Sequence, residues 1–117
     1  EAAMAGYLTT HVLDTARGLP AAGVKVELYR LQDGRRDQRG EMVTNDDGRT
    51  DRPILPEAVF ETGTFELVFH VGEYFLANGL PGSFLDEIPI RFAMTESAHY
   101  HVPLLLSPFG YSTYRGS

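Results

Sequence analysis

The sequence predicts an all-β fold, a two-sheet antiparallel sandwich of about eight strands with one short helix. Several stretches alternate apolar and polar residues with a period of two, the pattern of a half-buried strand. Glycine, proline, asparagine and aspartate residues separate these stretches at intervals of about 8 to 12 residues, as in β-sandwiches. Because 117 residues with 43% hydrophobic residues can fill one core but not two, we expect a single domain.

The first predicted strand begins at Tyr7 and divides its side chains between two faces. One face carries Leu8, Thr10 and Val12, and the other carries Tyr7, Thr9, His11 and Leu13. After a break at residues 14–23, residues 24–31 predict a second half-buried strand. Its expected core positions are Val24, Val26 and Leu28, and its expected outer positions are Lys25, Glu27 and Tyr29.

The middle of the chain contains two tight turns and the clearest strand pattern. The polar residues 32–40 predict an exposed loop before a short strand at residues 41–44. The turn at residues 45–49 places Arg49 at the start of an extended segment. Within residues 63–71, the apolar row is Phe65, Leu67, Phe69 and Val71, and the row expected to face solvent is Thr64, Glu66, Val68 and His70.

The last third predicts a short helix and three further strands. The helix is expected at residues 72–79, packed on a sheet edge and capped by Gly79. The strands are expected at residues 87–94, 99–106 and 110–115. Since proline cannot donate to a ladder, we expect an edge or a bulge at Pro103.

Composition argues against several classes of function. A net charge of −6 and a pI near 5.1 would repel a phosphate backbone, so nucleic acid is not an expected partner. Cysteine is absent, which favours a reducing compartment, and we expect a cytoplasmic protein. No apolar run approaches the roughly 20 residues of a membrane helix. Residues 1–6 do not fit a signal peptide and are expected to be a leader or a cloning remnant ahead of the domain at residues 7–117.

Three histidines are candidates for a shared site. His99 and His101 fall on one face of an extended chain, and His11 lies on a different strand. Three imidazoles are the ligand set of some catalytic zinc sites, but an H-x-H pair is a weak motif and no fourth ligand has a convincing spacing. We therefore expect no bound metal. Histidines on half-exposed strands are usually structural, and we assign His70 to that class.

The chain offers no obvious covalent nucleophile, because it lacks both cysteine and a G-x-S-x-G elbow. An enzyme of this composition would instead activate water, using a neutral imidazole as base and a cation to hold the developing oxyanion. His11, His101 and Arg49 are the right residue types. Residue type alone favours a different interpretation of Arg49, in which it pairs with Asp46 or Asp51 on the surface.

Three segments together resemble one known family: THVLDTARGLPAAGVKVELYRL, NDDGRTDRP and the closing HYHVPLLLSPFGYSTYRGS. They are similar to the 5-hydroxyisourate hydrolases of the transthyretin-like family, over residues 7–117. The resemblance implies a transthyretin-like sandwich that pairs into dimers and then into a homotetramer around a central channel. It also implies hydrolysis of a C–N amide bond in 5-hydroxyisourate during urate degradation, giving 2-oxo-4-hydroxy-4-carboxy-5-ureidoimidazoline without a cofactor.

The resemblance also implies the residues of the site. The implied catalytic residues are His11, Arg49, His101 and Ser117, and the implied substrate-binding residues are His11, Arg49, Tyr114, Arg115 and Gly116. His99 has the same parity as His101 and is a second candidate for its role. The main alternative is a transthyretin-like carrier of a small ligand that performs no chemistry, and a plain interaction domain is a further one. The carrier lacks the His/Arg/His set and the closing Tyr-Arg-Gly-Ser motif, so their presence favours the hydrolase.

Overall fold

Two four-stranded sheets enclose one apolar core in the computed structural model, which describes residues 5–117. The strands are β1 (Tyr7–Asp14), β2 (Leu19–Pro20), β3 (Lys25–Gln32), β4 (Arg35–Val43), β5 (Gly63–His70), β6 (Glu87–Met94), β7 (His99–Ser107) and β8 (Gly110–Thr113). One helix, α1 (Val71–Ala77), and a 3₁₀ turn at Glu57–Val59 complete the elements of this part of the chain. The predicted sandwich is therefore confirmed. Residues 1–4 of the predicted leader lie outside the described residues, and the division at residue 6 stays a prediction.

The first sheet has the order β2-β1-β7-β8 and the second the order β4-β3-β5-β6. The two central strands of the first sheet, β1 and β7, run parallel, whereas the sequence predicted an antiparallel arrangement throughout. A parallel pair needs a long crossover connection, and here the whole second sheet intervenes between the two strands in sequence. No helix among the described residues has the length and apolar character needed to cross a bilayer.

Alternation correctly predicted the inner faces of β1 and β3. Leu8, Thr10 and Val12 are buried in β1, and the hydroxyl of Thr10 donates to the carbonyl of Val102 at 2.8 Å. Val26 and Leu28 are fully buried in β3, as expected. The core between the sheets thus fixes which side of β1 faces outward.

The polar segment after β3 is a strand, and the prediction of an exposed loop at residues 32–40 was wrong. Asp33 and Gly34 both have positive φ, at 52° and 77°, which is the backbone of a tight two-residue hairpin turn. The chain therefore returns at once as β4, which pairs with β3 along its length. Because β4 is the edge of its sheet and mostly exposed, it carries polar residues that conceal the strand pattern.

The outer row of β5 is more buried than its sequence predicted. Glu66 is 8% exposed and Val68 is 4% exposed, because β5 lies between β3 and β6. Arg36 and Arg91 each reach Glu66 at 3.3 Å and cover it. His70 is held by Glu27 at 2.6 Å, in keeping with the structural role expected of it.

The predicted helix is present, and β7 has a local edge at Pro103, one of the two arrangements predicted there. Helix α1 ends with the amide of Leu80 donating to the carbonyl of Phe75 at 2.8 Å, while Gly79 adopts φ 69°, so Gly79 closes the helix as predicted. The β8 ladder begins at the pair Leu104–Thr113. Pro103 therefore lies just beyond its end, where no ladder bond on that side is required.

A buried carboxylate joins α1 to β1. Asp14 is 1% exposed and accepts hydrogen bonds from the Tyr74 hydroxyl at 2.6 Å and from the Arg17 Nε at 3.0 Å. Burial acts to raise the pKa of Asp14, but the hydrogen bonds from Tyr74 and Arg17 outweigh it and hold the pKa below 3.8. Asp14 therefore stays ionised in the fold, and the helix is tied to the first sheet through it.

We expect Tyr74→Phe to lower the free energy of unfolding by about 1.5–3 kcal/mol at pH 7, since a hydrogen bond to a buried charge is lost. The lowered pKa contributes stability above about pH 4, and this contribution disappears as pH falls through the folded-state pKa. The difference in the free energy of unfolding between wild type and variant should therefore become smaller as the pH falls. Urea titrations at several pH values measure it.

Tyr111→Phe is the matched control, because Tyr111 is 46% exposed. Its effect should stay within about 0.5 kcal/mol. Equal stabilities of the two variants at neutral pH would show that Asp14 does not depend on the Tyr74 hydroxyl.

Candidate active site

The outer face of the first sheet carries a row of polar and aromatic side chains. The register of β1 with β7 places Tyr7 opposite His99 and Thr9 opposite His101. All four side chains point away from the core, because Leu8 and the other even-numbered residues of β1 and β7 are buried and successive residues of a strand face opposite sides. His11 continues the same row on β1. The sheet therefore brings together three imidazoles that lie far apart in the sequence.

Direct contacts fix the orientation of two of these imidazoles. The Thr9 Oγ1 lies 2.7 Å from Nε2 of His99 and 2.8 Å from Nδ1 of His101. The Tyr7 ring stacks on the His99 ring, with centroids 4.1 Å apart and an interplanar angle of 7°. His101 lies 6.1 Å from His99 and 6.5 Å from His11, measured between ring centroids. The three rings thus form one cluster.

Arg49 reaches this cluster through a turn that is pinned to β1. The carbonyl of Gly48 accepts from the amide of Val12 at 2.8 Å, and Arg49 forms an isolated bridge with His11. The Asn45 side chain closes the turn by accepting from the amide of Arg49 at 3.2 Å. A Cβ at Gly48 would lie 2.3 Å from the carbonyl of Val12, so only glycine permits this approach.

The surface pairing considered for Arg49 is not formed in the described part of the chain. None of the ion pairs of residues 5–117 involves Arg49, and Asp51 instead accepts from the Asn45 amide group at 2.9 Å. Arg49 lines the cavity beside the imidazoles instead. Its charge is therefore available to a ligand.

The closing residues pack directly on His101. The amide of Gly116 donates to the carbonyl of His101 at 2.7 Å. A Cβ at position 116 would lie 2.5 Å from Cδ2 of the His101 ring, so the ring occupies the space that a larger residue would need. Ser117 then follows into the cavity. This contact explains a glycine at the third position of the closing motif.

These side chains surround an open cavity of about 390 Å³, a volume within the range of small-molecule sites. The lining consists of Tyr7, Thr9, Thr10, Arg49, Thr50, Asp51, Arg52, Pro53, His99, His101 and Ser117. Two guanidinium groups among them suit a ligand rich in oxygen atoms.

The structure brings most, but not all, of the predicted site residues together. Arg49, His101 and Ser117 line the cavity, Gly116 packs against the His101 ring, and the His11 ring lies 6.5 Å from that ring between centroids. Tyr114 and Arg115 instead line a second cavity, where the Arg115 guanidinium lies 4.2 Å from the centroid of the Tyr100 ring. They occupy this position because β8 ends at Thr113 and the chain rejoins β7 only at residue 116. Their predicted role in substrate binding has no support from the geometry of one protomer.

Sequence reasoning missed several residues that line this cavity. Thr9, Tyr7 and Arg52 all line the cavity, yet none received a role. Their parity placed Tyr7 and Thr9 on the face of His11, but only the pairing of β1 with β7 shows that they contact His99 and His101. Arg52 carried no signal beyond its proximity to Arg49 in sequence.

Two of the imidazoles are poised in their neutral form. Burial, followed by the charge of Arg49, lowers the pKa of His11 below 6.5, although Asp47 acts in the opposite direction. Burial, then Arg49, His99 and His11, lowers the pKa of His101 below the same value. Both rings are therefore neutral near pH 7 and able to accept a proton.

The cluster does not supply the ligand set that the zinc alternative requires. Among residues 5–117, no group of three or more His, Asp or Glu side chains is arranged to hold a metal ion. The cluster contains imidazoles, hydroxyls and guanidinium groups, and in this arrangement it is suited to acid–base chemistry and oxyanion binding.

The fold and the sequence together place the chain in a known family. It belongs to the HIUase/Transthyretin family, whose model matches residues 8–116. It is 57% identical over 116 residues to a protein of Rhizobium meliloti (strain 1021) named 5-hydroxyisourate hydrolase 2, a match that covers 96% of this chain and 97% of that protein.

Two solved structures are also similar. The 5-hydroxyisourate hydrolase of Klebsiella pneumoniae has a TM-score of 0.82 and 36% identity, with 96% of this chain and 100% of that chain covered. An (S)-allantoin synthase has a TM-score of 0.88 and 46% identity over 97% of this chain. The present chain spans 44% of that synthase, less than half of its length.

We expect Arg49→Gln to raise the pKa of both His11 and His101, because the guanidinium disfavours a second positive charge nearby. His101 should still titrate below 6.5, since burial is the largest cause of its shift. Titration of the imidazole resonances by NMR measures both midpoints. Arg49→Lys is the control, since it keeps the charge and should leave both pKa values low; unchanged midpoints in Arg49→Gln would contradict the assigned effect.

We expect Gly116→Ala to move the His101 imidazole resonances and to destabilise the fold by about 1 kcal/mol, the order of an off-rotamer side chain. Gly110→Ala is the control, because the nearest atom to its Cβ would be Ser107 Oγ at 3.9 Å, an ordinary contact. Identical His101 spectra in wild type and Gly116→Ala would show that the ring has free space at this position.

Proposed function

We propose that the chain hydrolyses 5-hydroxyisourate by opening its six-membered ring at a C–N amide bond. The observation that carries the proposal is that Arg49 and His101 line one cavity, with the ring of His11 beside it. The predicted 5-hydroxyisourate hydrolase activity is confirmed by relatives that bear this name. The role of each residue is our proposal.

His101 is the general base that we favour for the attacking water. It lines the cavity, its Nδ1 is held by Thr9, and its lowered pKa keeps it neutral near pH 7. Since Nδ1 contacts Thr9, Nε2 on the far side of the ring is left to accept the proton of the water. General base catalysis of this kind contributes about 10²- to 10⁴-fold.

Arg49 stabilises the negative charge that develops on the carbonyl oxygen of the substrate. A preorganised donor to an oxyanion contributes about 10²- to 10³-fold, and Arg49 is free of intramolecular ion pairs in the described chain. His11, whose backbone bridges Arg49, orients the substrate. Ser117 supplies a hydroxyl at the cavity wall.

The active form is a homotetramer built as a dimer of dimers, and the cytoplasm is its proposed location. Exposed apolar side chains support self-association: Phe84 and Phe109 are 67% and 66% exposed and lie 6.1 Å apart between ring centroids. In such an assembly, residues that lie away from the cavity in one protomer, such as Tyr114 and Arg115, can be placed by a neighbouring subunit.

Freshly generated 5-hydroxyisourate should decay faster in the presence of the protein, as followed by its ultraviolet absorbance. His11→Ala, Arg49→Ala and His101→Ala should each lower turnover at least about tenfold, because each removes a group that touches the reaction. His70→Gln is the control. This variant should leave turnover unchanged, because His70 and its hydrogen-bond partner Glu27 both lie on the second sheet, which does not carry the site.

A spontaneous decay rate that the protein does not change would instead favour the carrier without catalysis. Normal turnover in Arg49→Ala would remove the oxyanion role of that residue. Loss of activity after exhaustive chelation would favour a metal-dependent mechanism.

A further inference from the structure

Thr9 holds two imidazoles with one hydroxyl group. Its Oγ1 lies 2.7 Å from Nε2 of His99 and 2.8 Å from Nδ1 of His101, and both distances are those of good hydrogen bonds. The geometry follows from the strand register, which sets Thr9 beside His101 and one step along the sheet from His99. Because threonine is branched at Cβ, its χ1 is restricted and the hydroxyl is held in place.

A hydroxyl group has a single proton to donate, and this limits the protonation of the two rings. When both imidazoles are neutral, the single hydroxyl proton can bond only one bare nitrogen, so at least one ring must donate its N–H to Oγ1. The two rings are coupled through Thr9 when the other ring accepts the proton of Oγ1, and this allows two arrangements. In the first arrangement His101 donates from Nδ1, Thr9 donates to His99, and Nε2 of His101 is bare. In the second arrangement His99 donates to Thr9, Thr9 donates to Nδ1 of His101, and Nε2 of His101 carries the proton.

We propose that Thr9 is a positioning residue that couples the tautomers of His99 and His101 and passes a proton between them during hydrolysis. This proposal rests on the function proposed above. It makes His99 the proton store of the site, whereas sequence reasoning considered His99 only as a substitute for His101.

The proposed transfer balances without any further reactant. As the oxygen of water bonds to the substrate carbonyl carbon, one water proton moves to Nε2 of His101. The proton on Nδ1 of His101 passes to Oγ1 of Thr9, and the original hydroxyl proton passes to Nε2 of His99. Thr9 is thereby restored, His101 is neutral and His99 is an imidazolium. The reverse transfer returns the proton through His101 to the leaving nitrogen when the C–N bond breaks.

The surroundings of His99 suit a transient cation. Its ring lies against the face of Tyr7, with centroids 4.1 Å apart, and the face of an aromatic ring attracts positive charge. The charge of Arg49 disfavours an imidazolium at His101. Transfer through Thr9 therefore moves the positive charge to a ring with an aromatic support.

The test compares Thr9→Val, which removes the hydroxyl at nearly constant shape, with Thr9→Ser, which keeps it. Long-range ¹H–¹⁵N spectra of the free wild-type protein at a pH where all imidazoles are neutral should show coupled tautomers. The fraction of His99 with Nε2 protonated and the fraction of His101 with Nδ1 protonated should add up to one proton. In Thr9→Val this relation should be lost, and in Thr9→Ser it should be kept.

Kinetics provide the second readout. Thr9→Val should lower kcat about tenfold or more with KM changed less than about threefold, because proton transfer is affected more than binding. Thr9→Ser should stay within about threefold of wild type. Thr15→Val is the control, since its hydroxyl also bonds β7, at the carbonyl of Leu106 (3.0 Å), but outside the cavity; it should change neither readout.

Three results would overturn the proposal. The first is wild-type tautomer fractions that do not add up to one proton, and the second is tautomer fractions and kcat that are the same in Thr9→Val as in wild type. Equal loss of kcat in the serine and valine variants, with unchanged tautomers, would reduce Thr9 to a packing role and also overturn it. If Thr9→Val fails to fold, the wild-type and serine spectra still decide. Because these spectra need no substrate, a wild-type protein without hydrolase activity would refute the proposed function separately.

Discussion

The parallel register of β1 with β7 is the constraint on which the site depends. It sets Thr9 beside His101 and Tyr7 beside His99, and a slip by one residue would turn every one of these side chains toward the core. Burial of Leu8 and Val12 on the opposite face opposes such a slip, since both are completely removed from solvent. Packing in the apolar core thus determines where the polar groups on the outer face of the sheet lie, although those groups point away from the core.

Backbone contacts bring the other two parts of the site to this pair of strands. The Gly48 carbonyl is bound by β1 and the Gly116 amide binds β7, at 2.8 and 2.7 Å. Glycine is needed at both points because a Cβ would collide with the carbonyl of Val12 or with the ring of His101. Since main-chain groups do the anchoring, the side chains of Arg49, His101 and Ser117 stay available for a ligand.

Period-two alternation predicted the fold class and the faces of β1, because one side of that strand is apolar and the other is not. It failed for β4, whose exposed edge position allows polar residues, and for Glu66, which is buried because β5 lies between two other strands and because Arg36 and Arg91 cover the carboxylate. The histidines and Arg49 were predicted through a family resemblance, whereas Thr9 could not be. The role of a threonine in a strand cannot be inferred until the neighbouring strand is known. The pairing of strands that lie far apart in the chain cannot be predicted from local sequence.

The charge of Arg49 has two opposed effects on the proposed chemistry. It keeps His11 and His101 neutral, so that a base is available near pH 7, and it attracts the developing oxyanion. The same charge disfavours the imidazolium that forms when the base accepts its proton. A base beside a fixed cation therefore works best if its new charge can move away or be neutralised by the oxyanion. The Thr9 hydroxyl offers such a path toward His99, and the stacked ring of Tyr7 lies at its end.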